Sequence, residues 1–442
     1  MIDTTKNLKD WFQDQVRGRD DDQLVLSPEF RATQLEALGS NGFPTRKDEE
    51  WRYTPLKEVL SRDFGSDETP KIKAAQVDEL KQVLPEATHL VFIDGKFSQE
   101  YSDSVGSGLA EGLHIHTLES LNPTELSRVE DILANVQFTD DTIFQQMALG
   151  FCSSGLYIQV DQNIELKLPL HILHLSSSKE SVTFSSGVTV VHQQANSKLT
   201  IVQQFASSTK SKATTLPLDA ILLDEGAQLD LYKLGLESAE TDHISNTSAQ
   251  VGPSASFRAH QYLLGSHLTR SNLEVKFTGS DAEAILRGIY LGKDDQHLDI
   301  RTYLDHAHPD CKSDQHFRGV MNDHSRGVFN GMVLVREHAQ RTDAQQSNKN
   351  LLLSRAARID TKPQLEIFAD DVKCAHGATI GELDDNAIFY LQSRGISKSD
   401  AALMLTRAFA AEITDEIQIE SLREHIQVAI SEQLSKVTSI NV

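Results

Sequence analysis

A chain of 442 residues exceeds what one compact core of ordinary size accommodates, which predicts several domains or one elongated, repetitive core. Its 42 Lys and Arg against 64 Asp and Glu leave a formal charge of −22, a sign that repels nucleic-acid phosphates and anionic lipid headgroups, so neither is expected as a partner. Three cysteines, Cys152, Cys311 and Cys374, are odd in number and too widely spaced for a disulfide framework. The N-terminal thirty residues lack an apolar h-region and no uncharged run reaches spanning length, so a cytoplasmic, untargeted protein is expected.

Residues 1–150 form a largely helical N-terminal domain with a little strand. Ser27 before Pro28 and Glu29 reads as an N-cap with proline at the first helical position, and Gly39 as the close of that helix. A second helix covers Val77 to Leu84 and stops at Pro85, and Leu90 to Ile93 followed by Asp94-Gly95 reads as a strand entering a tight turn. From Gly155 the period changes to two, as in Ile164, Leu166, Leu168, Leu170 and Ile172, and short turn clusters such as Asp224-Glu225-Gly226 and Thr278 to Asp281 separate the strands. Ser197-Lys198-Leu199, Ala227-Gln228-Leu229, Ala255-Ser256-Phe257 and Ala282-Glu283-Ala284 repeat one pattern at roughly 27 to 30 residues, within the solenoid range. The class is therefore mainly β, with a β-helix core over 151–385 favoured over a jelly roll or sandwich. Residues 386–442 return to helix: Ser397 and Asp400 cap a stripe of Ala401, Leu405, Ala408, Phe409 and Ile413, and Ile419, Leu422, Ile426 and Ala429 form a second stripe. Those stripes fit intramolecular packing or docking of a partner equally, although a helical pair standing off the end of a solenoid has little else to pack against.

The chemistry is sparse. No G-x-x-x-x-G-K-[ST] loop occurs, since Gly288 to Asp294 has the wrong length and lacks the Mg²⁺-binding hydroxyl, so no nucleotide is expected on this chain. The absence of G-x-S-x-G, H-E-x-x-H and C-x-x-C removes the common hydrolase and structural-zinc readings. His306, His308 and Cys311, with His316 and His324 beyond, reach the density of a tetrahedral metal site, but Pro309 interrupts the strand that would align them. Cys374 and His376 are two residues apart, so an extended strand projects both from one face. A thiol and an imidazole are half a site: either another chain supplies the remaining ligands, or Cys374 is merely buried beside a hydrogen-bonded His376. The rival from another class, a polysaccharide-acting β-helix enzyme using Asp370 and Asp371, suffers from adjacent carboxylates that face opposite ways and from a chain only 6% aromatic.

Four stretches carry a resemblance. They are Ala339-Gln340-Arg341-Thr342-Asp343-Ala344-Gln345-Gln346, Asn348-Lys349-Asn350-Leu351-Leu352-Leu353-Ser354, Lys362-Pro363-Gln364-Leu365-Glu366-Ile367 running into Ala369 to Thr379, and Phe389-Tyr390-Leu391-Gln392-Ser393-Arg394-Gly395-Ile396. In this order, from about Phe317 to Phe409, they resemble the SufB/SufD family of iron–sulfur cluster assembly proteins; the N-terminal half is similar mainly at Glu50-Trp51-Arg52-Tyr53-Thr54. The Cys374-x-His376-Gly377 wording is similar to the SufD branch, with Ala375 where Ser is common.

The resemblance implies a right-handed parallel β-helix flanked by helical domains, serving as a non-catalytic scaffold. It implies a heterodimer with a SufB-type paralogue, or a homodimer in isolation. It also implies a SufC-type ABC ATPase docked on the C-terminal helices, with Tyr390, Arg394, Leu405, Phe409 and Ile413 as the docking residues. By the same resemblance His376, with Cys374 beside it, helps hold a transient iron–sulfur cluster at the SufB–SufD interface.

Overall fold

The computed structural model describes residues 24–41, 43–60, 62, 72–103, 105–107, 110–136, 143–177, 182–208 and 211–435. A parallel β-solenoid of about seven turns forms its core, with helices towards both ends of the chain. Alternate strands feed two stacked sheets, of ten and twelve strands. Between Ile143–Gly150 and Asp385–Ser393 no helix occurs among the described residues, as the period-two pattern anticipates.

The repeat seen in the sequence marks one corner of every coil. Asn163, Asn196, Gly226, Ser254, Asp281, Asp310 and Arg341 all adopt positive φ there, and each amide donates to a backbone carbonyl of the following coil, as Asn196 N–H does to Glu225 at 2.9 Å. The residue after the corner turns inward and is small, as at Ser197, Ala227, Ala255, Ala282, Cys311 and Thr342, because neighbouring coils stack directly above and below it. Cys311 is thus one member of a structural column. Asn, Asp and Gly predominate at the corner because they tolerate the left-handed region.

The N-terminal helices cover the twelve-stranded sheet. Trp51, Leu133, Phe144 and Met147 pack with Val188, Val190, Leu218 and Ile244 in one apolar cluster. The first helix, Pro28–Asn41, is capped by the Ser27 hydroxyl, which accepts from the Phe30 N–H at 3.3 Å, and it runs past Gly39 rather than ending there. Strand Thr88–Ile93 turns at Asp94-Gly95, both with positive φ, and pairs in parallel with Leu170–Ser176, while Leu113–Thr117 pairs antiparallel with Gly155–Val160. Both sheets therefore begin in the N-terminal region and cross the boundary expected near residue 150.

The C-terminal helices Lys398–Thr414 and Glu420–Ser435 correct one expectation, since they do not stand off the end of the solenoid. They lie along the flank of the ten-stranded sheet, where Ala410, Ile413, Ile417, Leu422, Ile426 and Ile430 meet Tyr232, Leu234, Tyr262, Ile289, Leu291 and Val320. That outward sheet face is apolar enough to absorb both stripes, and Arg287 pairs with Glu416 at 2.7 Å at its margin.

Burial holds several histidines neutral. It pushes His171 and His260 down to about 3, and His297 and His306 down to about 4. In the unfolded chain these imidazoles take up protons near the ordinary value of about 6.5, so the unfolded state binds more protons at every pH between that value and the folded ones. Stability is therefore expected to fall as pH falls through this window, by about 1.4 kcal/mol per pH unit for each histidine. His260→Phe, which keeps a ring stacked on Tyr232, should flatten the slope of unfolding free energy between about pH 6 and about pH 5 by roughly one proton. An unchanged slope in denaturant titrations would contradict this assignment.

Candidate functional site

A parallel coil satisfies its backbone only if another coil lies on each side. Among the described residues the last turn has a neighbour on one side. Strand Arg358–Ile367 ends the twelve-stranded sheet, paired with Arg326–Val335, and Lys373–Gly381 ends the ten-stranded sheet, paired with Asp343–Leu352. Ile367, Phe368 and Ile380 are exposed at this end, although large apolar side chains are mostly buried elsewhere in the solenoid. A methyl group added at Gly377 or Gly381 would meet nothing within 4 Å, whereas at Gly288 it would strike Phe317 at 2.5 Å.

The register puts Cys374 opposite Ala344 and His376 opposite Gln346. Both partners point into the solenoid, so Cys374 and His376 share the inward face, which at this last coil is open. Cys374 is half-buried against the interior cluster, and burial pushes its thiol up, outweighing the Ala344 backbone contact that lowers it. His376 is exposed. The two candidate ligands are thus brought together on an accessible edge, the imidazole as the accessible member.

The other sequence candidates disperse. His306 is buried, bonded to the Ser313 hydroxyl at 2.9 Å and set edge-on to Phe277. His316 pairs with Asp314 at 3.1 Å, and His308 is half-exposed on the turn before the Cys311 corner. Burial pushes the Cys311 thiol up to about 11 and that of Cys152 up to about 12. Among the described residues no three His, Cys, Asp or Glu side chains are placed to hold a metal ion, so those that are described offer a cluster only part of a ligand set. Asp370 and Asp371 lie on an exposed corner, where the Asp371 carbonyl accepts from the Arg341 N–H.

The five C-terminal residues divide. Tyr390 and Arg394 are exposed and face each other, the guanidinium 5.2 Å from the ring centroid. Leu405 is half-buried. Phe409 is half-buried beneath the Arg318 guanidinium, and Ile413 is 1% exposed against the sheet. Ile413 is therefore a packing residue, unavailable to a partner, and Phe409 is largely one. Beyond these five residues, Phe389, which precedes Tyr390 in the chain, is 73% exposed and Met404 is 48% exposed.

The segment Glu50 to Thr54 is a latch between the N-terminal region and the solenoid. Trp51 is buried beneath Arg270, whose guanidinium lies 3.6 Å from the ring centroid and pairs with Asp299 at 3.1 Å. Thr54 donates its hydroxyl to Asp299 at 2.6 Å. Glu50 pairs with Arg301, and Glu49 with Lys362 on the last strand of the sheet, around a cleft of about 170 Å³.

Comparison with known families matches residues 2–172 to the SufBD protein N-terminal region and residues 174–409 to the SufBD core domain of SUF-system FeS cluster assembly. The chain is 32% identical over 403 residues to the iron–sulfur cluster assembly protein SufD of Escherichia coli strain K12, covering 90% of this chain and 91% of that one. It is 31% identical over 433 residues to an iron–sulfur cluster assembly SufBD family protein of a Synechocystis species, covering 95% and 93%. A SufD of Bacillus subtilis matches at 23% over 284 residues, 64% of each chain.

Removing the latch ring should be costly. Trp51→Ala is expected to destabilise by about 3–5 kcal/mol, because it opens a cavity and uncovers the buried Arg270–Asp299 pair. Trp51→Phe, which keeps an aromatic ring beneath the guanidinium, should recover most of that loss. A midpoint shift in chemical denaturation worth less than about 1 kcal/mol for the alanine variant would show that the segment is a surface strap rather than an anchor.

Proposed function

This chain belongs to the SufBD family of iron–sulfur cluster assembly proteins, and from that membership we propose that it is a non-catalytic scaffold subunit. It pairs with a SufB-type paralogue through the open end of its solenoid, carries a SufC-type ABC ATPase on its C-terminal helices, and contributes His376 to nascent cluster formation at the subunit interface. The observation that carries the reading is the pair of edge strands, Arg358–Ile367 and Lys373–Gly381, with an exposed imidazole on one of them.

An uncovered parallel edge is a template for another strand, and such edges in soluble proteins are usually blunted or covered. Here Ile367, Phe368 and Ile380 add apolar area to unmet backbone groups. A second solenoid of the same pitch satisfies both edges at once, so a paralogue fits this end better than an unrelated partner; a second copy of this chain would fit by the same logic.

A cluster assembled there is cargo. His376 offers an imidazole nitrogen to iron, and thiolates from the partner supply the soft ligands. The raised thiol of Cys374 makes it the secondary contributor. Nucleotide-driven work belongs to the ATPase. Its closure would draw the two helical regions together and strain the edge-to-edge contact that holds the cargo.

Co-expression with SufB-type and SufC-type counterparts, followed by anaerobic spectroscopy, tests both contacts. His376→Ala should leave the assembled complex intact while cluster absorbance falls by more than about tenfold; normal cluster yield with this variant would remove the ligand role. Phe389→Asp with Tyr390→Asp should abolish co-purification of the ATPase and leave pairing with the paralogue unaffected, and retained ATPase would relocate that surface.

A further inference from the structure

The inward positions beneath His376 change character along the solenoid. Reading the register from coil to coil, the column runs Ala259, Leu286, Gln315, Gln346 and then His376. It is apolar until two coils before the open end and carries amides from there. The adjoining column through Ala284, Ser313, Ala344 and Cys374 has no such change in hydrogen-bonding capacity.

Most of the polar side chains around the last coils use their capacity on one another. Tyr290 donates to Asn350, Asn348 to Tyr290, Asn350 to Asn348, and Thr361 to Asn348. Gln315 accepts from the Thr302 hydroxyl at 2.7 Å through Oε1, leaving its Nε2 without a partner among the described residues. Two buried amides do not, Asn322 and Gln346, and of these Gln346 stands opposite His376 in the register. It is 4% exposed, and neither its Oε1 nor its Nε2 has a partner among the described residues. Space is reserved for it, since a side chain at Gly331 would place a Cβ 2.4 Å from Gln346 Nε2. Burying such an amide unpaired costs roughly 1–3 kcal/mol, which a leucine at the same position would avoid.

We infer that Gln346 is a positioning residue for His376, with its carbonyl oxygen accepting the ring N–H that does not face the incoming metal. The inference rests on the proposed ligand role of His376. An imidazole that ligates through one nitrogen needs an oxygen for the N–H of the other, which fixes the tautomer and the ring plane. Gln346 lies one strand spacing from His376, about 4.8 Å, on the same inward face. Its Nε2 can then donate to the remaining lone pair of Gln315 Oε1, which Thr302 anchors from below. An apolar residue at position 346 would leave the imidazole on an open edge with neither tautomer nor orientation set.

The test needs no partner. In the full chain labelled with ¹⁵N-histidine, with the His376 signals identified by their loss in His376→Gln, one neutral tautomer should dominate at mildly alkaline pH. Gln346→Leu should lower that preference about tenfold, and so should Gln346→Asn, which keeps a buried amide but withdraws it by one methylene. Gln346→Glu, which retains an oxygen at full reach, should preserve it. His376 signals unchanged in the leucine or asparagine variant would overturn the inference, since a purely structural amide would leave the ring nitrogens as they were. Cluster yield in the co-expressed complex is scored separately: an indifferent His376→Ala would sink the ligand role while the tautomer result stood, and an indifferent Gln346 with an essential His376 would sink only the positioning role.

Discussion

Every strand in a stacked parallel coil needs two neighbours, and the terminal coil has one. That constraint organises the molecule. Inside the stack, backbone groups are met by the coils above and below, and the left-handed corners repeat their amide-to-carbonyl bond from Asn163 to Arg341. At Arg358–Ile367 and Lys373–Gly381 the ladders stop with one side unmet among the described residues.

The flanking elements leave that end open. The C-terminal helices follow directly on the last strand, yet fold back along the flank, where they pack on Tyr232, Tyr262 and Ile289. Their inner stripe is spent on this contact, and Phe389, Tyr390 and Met404 remain for anything that binds from outside. On the opposite sheet, the Trp51 latch reaches the last strand through the Glu49–Lys362 pair, so the N-terminal region braces the rim.

Polar side chains enter the largely apolar lumen at two levels: Gln203, Asp219, Lys233 and Thr247 bond to one another in the middle coils, and Gln315, Gln346, Asn348 and Asn350 lie near the last coil. Buried amides need partners that apolar side chains do not, and the middle network meets that need within itself. The second set lies beside the strand that carries His376 and Cys374, where both amide atoms of Gln346 are without a partner among the described residues.

Sequence alone determined what depends on neighbours along the chain. The period of two, the recurring small residue after a turn, the helical stripes and the side-by-side placement of Cys374 and His376 all follow from local backbone geometry, and each has its counterpart in the structure. Local signals also left alternatives that only packing resolved. His306, His308, Cys311 and His316 are dense in sequence, but a strand and a corner send them to different environments, and Cys311 proves to be one member of a small-residue column. Phe409 and Ile413 belong to a stripe that suits a partner or a sheet equally, and the outward face of the ten-stranded sheet took it. Trp51 carries no periodic signal, since its role comes from Arg270 and Asp299, more than two hundred residues away. Which coil is last and uncovered, and which amides beneath it are left unpaired, is set by contacts between residues about thirty apart, a distance at which sequence pattern no longer specifies the neighbour and only the closed stack does.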